Sequence, residues 1–80
     1  MAKQSKVPVT MRALVQRINR NLAEKEMQLK KSRGRLRSDV GEYYVLDINR
    51  NFIAKQHVDP EDLGRRLGVL SDWEKAVDDA

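Results

Sequence analysis

The stretch Glu42-Tyr43-Tyr44-Val45-Leu46-Asp47-Ile48-Asn49-Arg50-Asn51-Phe52 decides the fold class. Its first seven residues are rich in aromatic and β-branched side chains, which suit a pleated, half-buried surface. Asn49-Arg50-Asn51 interrupts the run, and asparagine tolerates the positive φ that a hairpin connection requires. Phe52 to Val58 then reads as the return strand. Alternation puts Tyr44, Leu46 and Ile48 on one face, the expected core side. Tyr43, Val45 and Asp47 fall on the other, the expected open side. Two strands alone are marginal in water, so this hairpin needs a third strand or a helix against it.

The third strand is sought just upstream, where Ala23-Glu24-Lys25-Glu26-Met27-Gln28-Leu29-Lys30-Lys31 permits two readings. All nine are good helix formers, and one long helix could run to a Gly34 cap. Met27 and Leu29, however, alternate with polar residues as a half-buried strand does. The strand at 26–31 is the preferred reading. Before it, Met11, Leu14, Val15, Ile18 and Leu22 recur at steps of three and four, the stripe of an amphipathic helix over 11–24. Arg12, Gln16, Asn19, Arg20 and Ala23 line its other side. Thr10 is suited to cap that helix, with Val9 and Leu14 spaced as a hydrophobic staple. Pro8 keeps Val7 extended.

Downstream of the hairpin, Asp59-Pro60-Glu61-Asp62 is a helix start: a capping aspartate, a proline at the first helical position, and acids at the positive end of the dipole. Gly68 ends this helix at about residue 67. Gly64 inside it costs about 1 kcal/mol relative to alanine, so packing or a close backbone approach is expected there. Ser71-Asp72-Trp73-Glu74 matches a capping box for a final turn or two of helix. Ser32 to Gly41, without period and punctuated by glycine and serine, reads as a loop.

The expected fold is therefore α+β in the order α-β-β-β-α, a three-stranded antiparallel sheet with the helices on one face and a short C-terminal helical turn. The expected core is Leu14, Val15, Ile18, Leu22, Leu29, Tyr44, Leu46, Ile48, Ile53, Leu63, Leu67 and Trp73. With 80 residues the chain has room for one core. The single domain is set at 10–76, between a flexible basic tail and extended lead-in at 1–9 and a frayed acidic tail at 77–80.

The order α-β-β-β-α resembles that of double-stranded-RNA-binding domains, which carry a lysine-rich motif at the start of the last helix. Here that position reads Asp59-Pro60-Glu61-Asp62, which would repel phosphate. The resemblance rests on element order alone and assigns no family.

Composition narrows the chemistry. There is no cysteine, which excludes disulfides, thiolate zinc sites and cysteine nucleophiles. The one histidine, His57, reads as an exposed strand residue. Ser5, Ser32, Ser38 and Ser71 lack a nucleophile-elbow context. Gly34, Gly41, Gly64 and Gly68 fit neither a P-loop nor a dinucleotide fingerprint. The expectation is a protein without catalysis and without a cofactor. No apolar run approaches a membrane span and no signal peptide is read at the start, so a cytoplasmic setting without a membrane partner is expected.

Charge is distributed unevenly. Residues 1–40 hold eleven Lys and Arg against three Asp and Glu, while residues 41–80 hold five against nine. The densest cationic segment is Lys30-Lys31-Ser32-Arg33-Gly34-Arg35-Leu36-Arg37. Several mobile cations release counterions from a polyanion, and nearby glycine and serine let backbone N–H groups approach phosphates. Lys30, Lys31, Arg33, Arg35 and Arg37 are thus the candidate contacts to DNA or RNA, extended by Arg12, Arg17 and Arg20 from the first helix. The competing expectation is a module that binds another protein or itself through the open sheet face of Tyr43, Val45 and Phe52. Everything turns on whether the cationic stretch stays in solvent or is neutralised by the acids of the second half.

Overall fold

The computed structural model describes residues 6–78. Expectations for residues 1–5 and 79–80 lie outside them. Among these residues the strands and α-helices follow in the order β1 (Val7–Thr10), α1 (Met11–Leu22), β2 (Met27–Lys31), α2 (Leu36–Val40), β3 (Tyr43–Asp47), β4 (Phe52–Lys55), α3 (Pro60–Arg66) and β5 (Glu74–Val77). Strands β2, β3 and β4 form an antiparallel sheet in that order, and β1 pairs with β5 in a separate parallel pair. The fold is α+β with a three-stranded antiparallel sheet, as the hairpin pattern requires.

Helix α1 begins as its sequence dictates: the Thr10 hydroxyl accepts from the Ala13 N–H. A 3-10 turn over Ala23–Lys25 tightens its end, and Glu26 in the left-handed region (φ 58°) stops it. The chain then turns back as β2 instead of running on as a long helix. A side chain on α1 holds it there. The Asn19 amide donates to the Leu29 carbonyl at 3.3 Å and accepts from the Leu29 N–H at 2.7 Å. Leu29 lies on the outer edge of the sheet, so these groups have no strand to pair with. One amide replaces that strand on both sides of a residue that is 2% exposed.

The main core consists of Val9, Leu14, Ile18, Leu22, Leu29, Tyr43, Val45 and Leu70. This corrects the face assignment of the hairpin. In register, Leu29 faces Val45 and Lys31 faces Tyr43, so the side of β3 that meets α1 is the Tyr43–Val45 side. Tyr44 and Leu46 lie on the outer face. Ile48, expected inside, is 53% exposed. Asp47 explains the inversion. It shares the inward parity, but it stands at the end of β3, where its carboxylate accepts from the Arg50 N–H at 3.0 Å and shapes the turn. Its charge is therefore spent beyond the core rather than in it. An open face built from Tyr43 and Val45 does not exist.

Strand β4 is shorter than the expected 52–58. A bulge leaves Ala54 unpaired between Ile53 opposite Leu46 and Lys55 opposite Val45, and the chain then kinks at His57 (φ 54°). Helix α3 runs as expected from its Asp59 cap, whose carboxylate accepts from the Glu61 N–H. It closes in a Schellman motif: Val69 N–H reaches the Gly64 carbonyl at 2.9 Å and Gly68 N–H the Arg65 carbonyl at 3.1 Å. Gly64 is where α3 meets α1, since a Cβ there would lie 2.8 Å from Leu14 Cδ1.

The C-terminal segment departs from expectation. Half of the capping box forms, with the Glu74 carboxylate accepting from the Ser71 N–H at 2.9 Å, yet the chain continues as β5 along β1. There Val7 is opposite Glu74 and Thr10 opposite Val77. Pairing with β1 satisfies the β5 backbone groups that face it, and side chains of α3 serve the other edge, where the Ala76 N–H donates to the Glu61 carboxylate at 3.0 Å and the Arg65 guanidinium donates to the Glu74 carbonyl at 2.9 Å. Trp73, expected in the core, is 64% exposed, and Leu70 takes the buried role.

Replacing Asn19 by alanine strands two buried backbone groups at once. The expected loss is about 2 kcal/mol of folding stability, read as a lowered urea midpoint with an unchanged m-value.

Candidate polyanion-binding surface

The basic segment begins on a strand and ends on a helix, and it is pinned at its base. The Ser32 N–H donates to the Glu42 carbonyl at 2.9 Å. The Ser32 hydroxyl, buried, donates to the carbonyls of Gly41 and Glu42. Between these anchors the chain turns at Gly34 (φ 60°) and enters α2. The segment read as a loop is therefore a short turn and a single helical stretch, closed by Ser32 against Gly41. Arg33 and Arg35 stand in solvent on the turn.

Lys30 and Lys31 diverge because adjacent strand residues alternate. Lys30 lies opposite Tyr44, on the outer face, and Lys31 opposite Tyr43, on the side of α1. Lys31 and Arg37 each approach Glu42, at 4.0 and 3.9 Å. With all three side chains about half exposed or more, these pairs hold little energy. Among the described residues, no ion pair within 4.0 Å holds Lys30, Arg33, Arg35 or Arg20.

The helix-one arginines do not form one patch with the segment. Arg12 faces the sheet and shares an open cleft with Lys31, Tyr43 and Asp78. Arg17 lies on the opposite flank, where its guanidinium donates to the Val69 carbonyl and to the Glu74 carboxylate, both at 3.1 Å. Arg20 shares a shallower hollow with Arg17 and Glu24. Arg17 thus serves the fold: it ties α1 to the start of β5.

The acids of the second half are largely engaged close to home. Glu61 meets Arg65 and accepts from the Ala76 N–H, and Arg66 meets Asp62 at 3.0 Å. Arg17 is held at 3.1 Å by Glu74, an acid near the C-terminal end. The cationic turn is left to solvent.

Sequence reasoning missed the roles of Asn19 and Glu74. Asn19 sat among the polar residues of an amphipathic helix with nothing to mark it. Glu74 carried a signal, its capping-box spacing from Ser71, and that contact is present within a different element.

Among the described residues there is no cluster of His, Asp and Glu suited to a metal ion, and no helix long and apolar enough to cross a membrane. Comparison with protein-family models, with curated proteins and with solved structures gives no match.

Two predictions follow from the anchors of this surface. Gly41 has φ 84°, and a Cβ there would fall 2.9 Å from the His57 Cα. Gly34 also has positive φ but open space around it. Gly41→Ala should cost at least about 3 kcal/mol and Gly34→Ala about 1 kcal/mol, compared by denaturant unfolding. The second concerns acid. The Ser71 N–H, and then the Arg17 guanidinium, hold the Glu74 carboxyl below its ordinary 4.5 against the opposing effect of burial. Its folded form favours the ionised state, so its stabilising contribution is present above the unfolded value and is lost as pH falls through the lowered one. The stability gap between the parent protein and Glu74→Gln should therefore narrow on acidification below about pH 4.5, measured by thermal melts across that range.

Proposed function

We propose that the protein binds nucleic acid through the turn that joins β2 to α2, with Arg33 and Arg35 as the principal phosphate contacts and Lys30, Lys31 and Arg37 flanking them. One observation carries this reading: these two arginines stand in solvent with no acidic partner among the described residues, on a turn whose base is fixed by Ser32 and Gly41. A fixed base keeps the ordering cost of binding low, since the backbone is already placed when the phosphates arrive. Glycine and serine within the segment leave room for main-chain contacts to the same phosphates.

Arg12 adjoins the segment through the cleft it shares with Lys31, while Arg20 lies with Arg17 on the other flank and Arg17 is assigned to the fold. The role is binding without catalysis, with no cofactor. The alternative of docking through the outer sheet face is less well supported, since Tyr43 and Val45 belong to the core and Tyr44 on the outer side is itself buried.

The test is a titration of labelled DNA and RNA followed by fluorescence anisotropy between about 50 and 200 mM salt. Affinity should fall steeply with salt. The double variant Arg33→Ala/Arg35→Ala should reduce the slope of log K against log salt by about 2 on duplex DNA, one phosphate per arginine. Failure to retain any polynucleotide at low salt would overturn the proposal.

A further inference from the structure

The open cleft beside the basic turn has a composition that phosphate binding alone does not call for. It measures about 630 Å³ and lies between the first half of α1 and the Lys31–Tyr43 end of the sheet. Its floor is apolar, made by Met11 and Val15, both packed against the core. Tyr43 forms a wall, Gln16 offers an amide, and Arg12 and Lys31 bring positive charge from two different elements. This size falls in the range of small-ligand sites, which pair an apolar floor with a few polar groups.

A solvated phosphate gains nothing from Met11 and Val15, and a stacked duplex cannot lower a base onto them. An unstacked base meets both requirements: an apolar face to lie on and cations beside it for the adjoining phosphates. Lys31 belongs to both the cleft and the basic segment, so a strand that follows the turn passes the cleft mouth. Resting on the nucleic-acid reading above, we infer that this cleft seats one base of a single strand, which makes single-stranded nucleic acid the ligand class. Asp78 also lines the cleft. Its carboxylate opposes the incoming phosphate, as does that of Glu42, which stands 4.0 Å from Lys31.

The experiment measures the ratio of affinities for a labelled oligothymidylate and a duplex of equal length, on the full chain. The parent protein should favour the single strand by about tenfold. Val15→Asp should abolish most of that preference. Gln16→Glu, isosteric and at an exposed position, should reduce it by about threefold, and Asp78→Asn should raise it by a similar factor. Because Val15 also touches the core, the latter two variants decide the outcome should Val15→Asp unfold. Equal affinity for both ligands, or a ratio that Gln16→Glu and Asp78→Asn leave unmoved, overturns the cleft. If Arg33→Ala/Arg35→Ala then still weakens both ligands together, the basic turn stands and the cleft alone falls. If no polynucleotide binds, both fall.

Discussion

The structure depends on an amide that stands in for a missing strand. Without a partner on its outer edge, β2 would present the N–H and C=O of a buried leucine to nothing. The two bonds from Asn19 remove that penalty and join the first helix to the sheet at the level of Leu29. They also occupy the edge that would otherwise invite pairing with another chain. All that lies beyond β2 inherits its position from this joint, including the parity that sends Lys30 and Lys31 to opposite faces and the start of the basic turn.

Local chemistry was readable where a residue's role is set by its near neighbours. The caps at Thr10 and Asp59, the stop at Gly68 and the turn at 49–51 all follow from side chains within a few positions, and each is found where the pattern puts it, the turn beginning one residue earlier at Ile48. The strand at β2 was also legible, because Met27 and Leu29 alternate. The inward face of β3 was not. Alternation gives two faces without saying which is buried, and Asp47 argued for the wrong one. Its position at the strand end, visible only once the register is known, removes that objection. The pairing of β1 with β5 left no trace in either segment, since each is only four residues long and the partner lies at the far end of the chain.

The candidate surface was legible in the same uneven way. A run of cations is plain in the sequence, but its availability depends on where the acids go. Glu61, Asp62 and Glu74 are drawn to Arg65, Arg66 and Arg17 by helix spacing and by the turn at Ser71. Near the basic turn stand Asp39, exposed on α2, and Glu42, whose pairs with Lys31 and Arg37 are at 4.0 and 3.9 Å and well solvated, too weak to neutralise the turn. The net positive charge of the first half therefore reaches solvent on the turn, while one of its arginines is consumed in holding the fold together.

The parallel pair has a kinetic meaning. Joining Val7 to Glu74 closes a ring that takes in most of the polypeptide, and the entropy of such a closure is recovered only after the intervening helices and hairpin are assembled. The two short strands are therefore expected to engage last. Opening there would free the Trp73 end of the chain and slacken the guanidinium tether at Arg17, and leave the amide joint at Leu29 untouched. Local opening of this protein should start at its seam and spread inward from there.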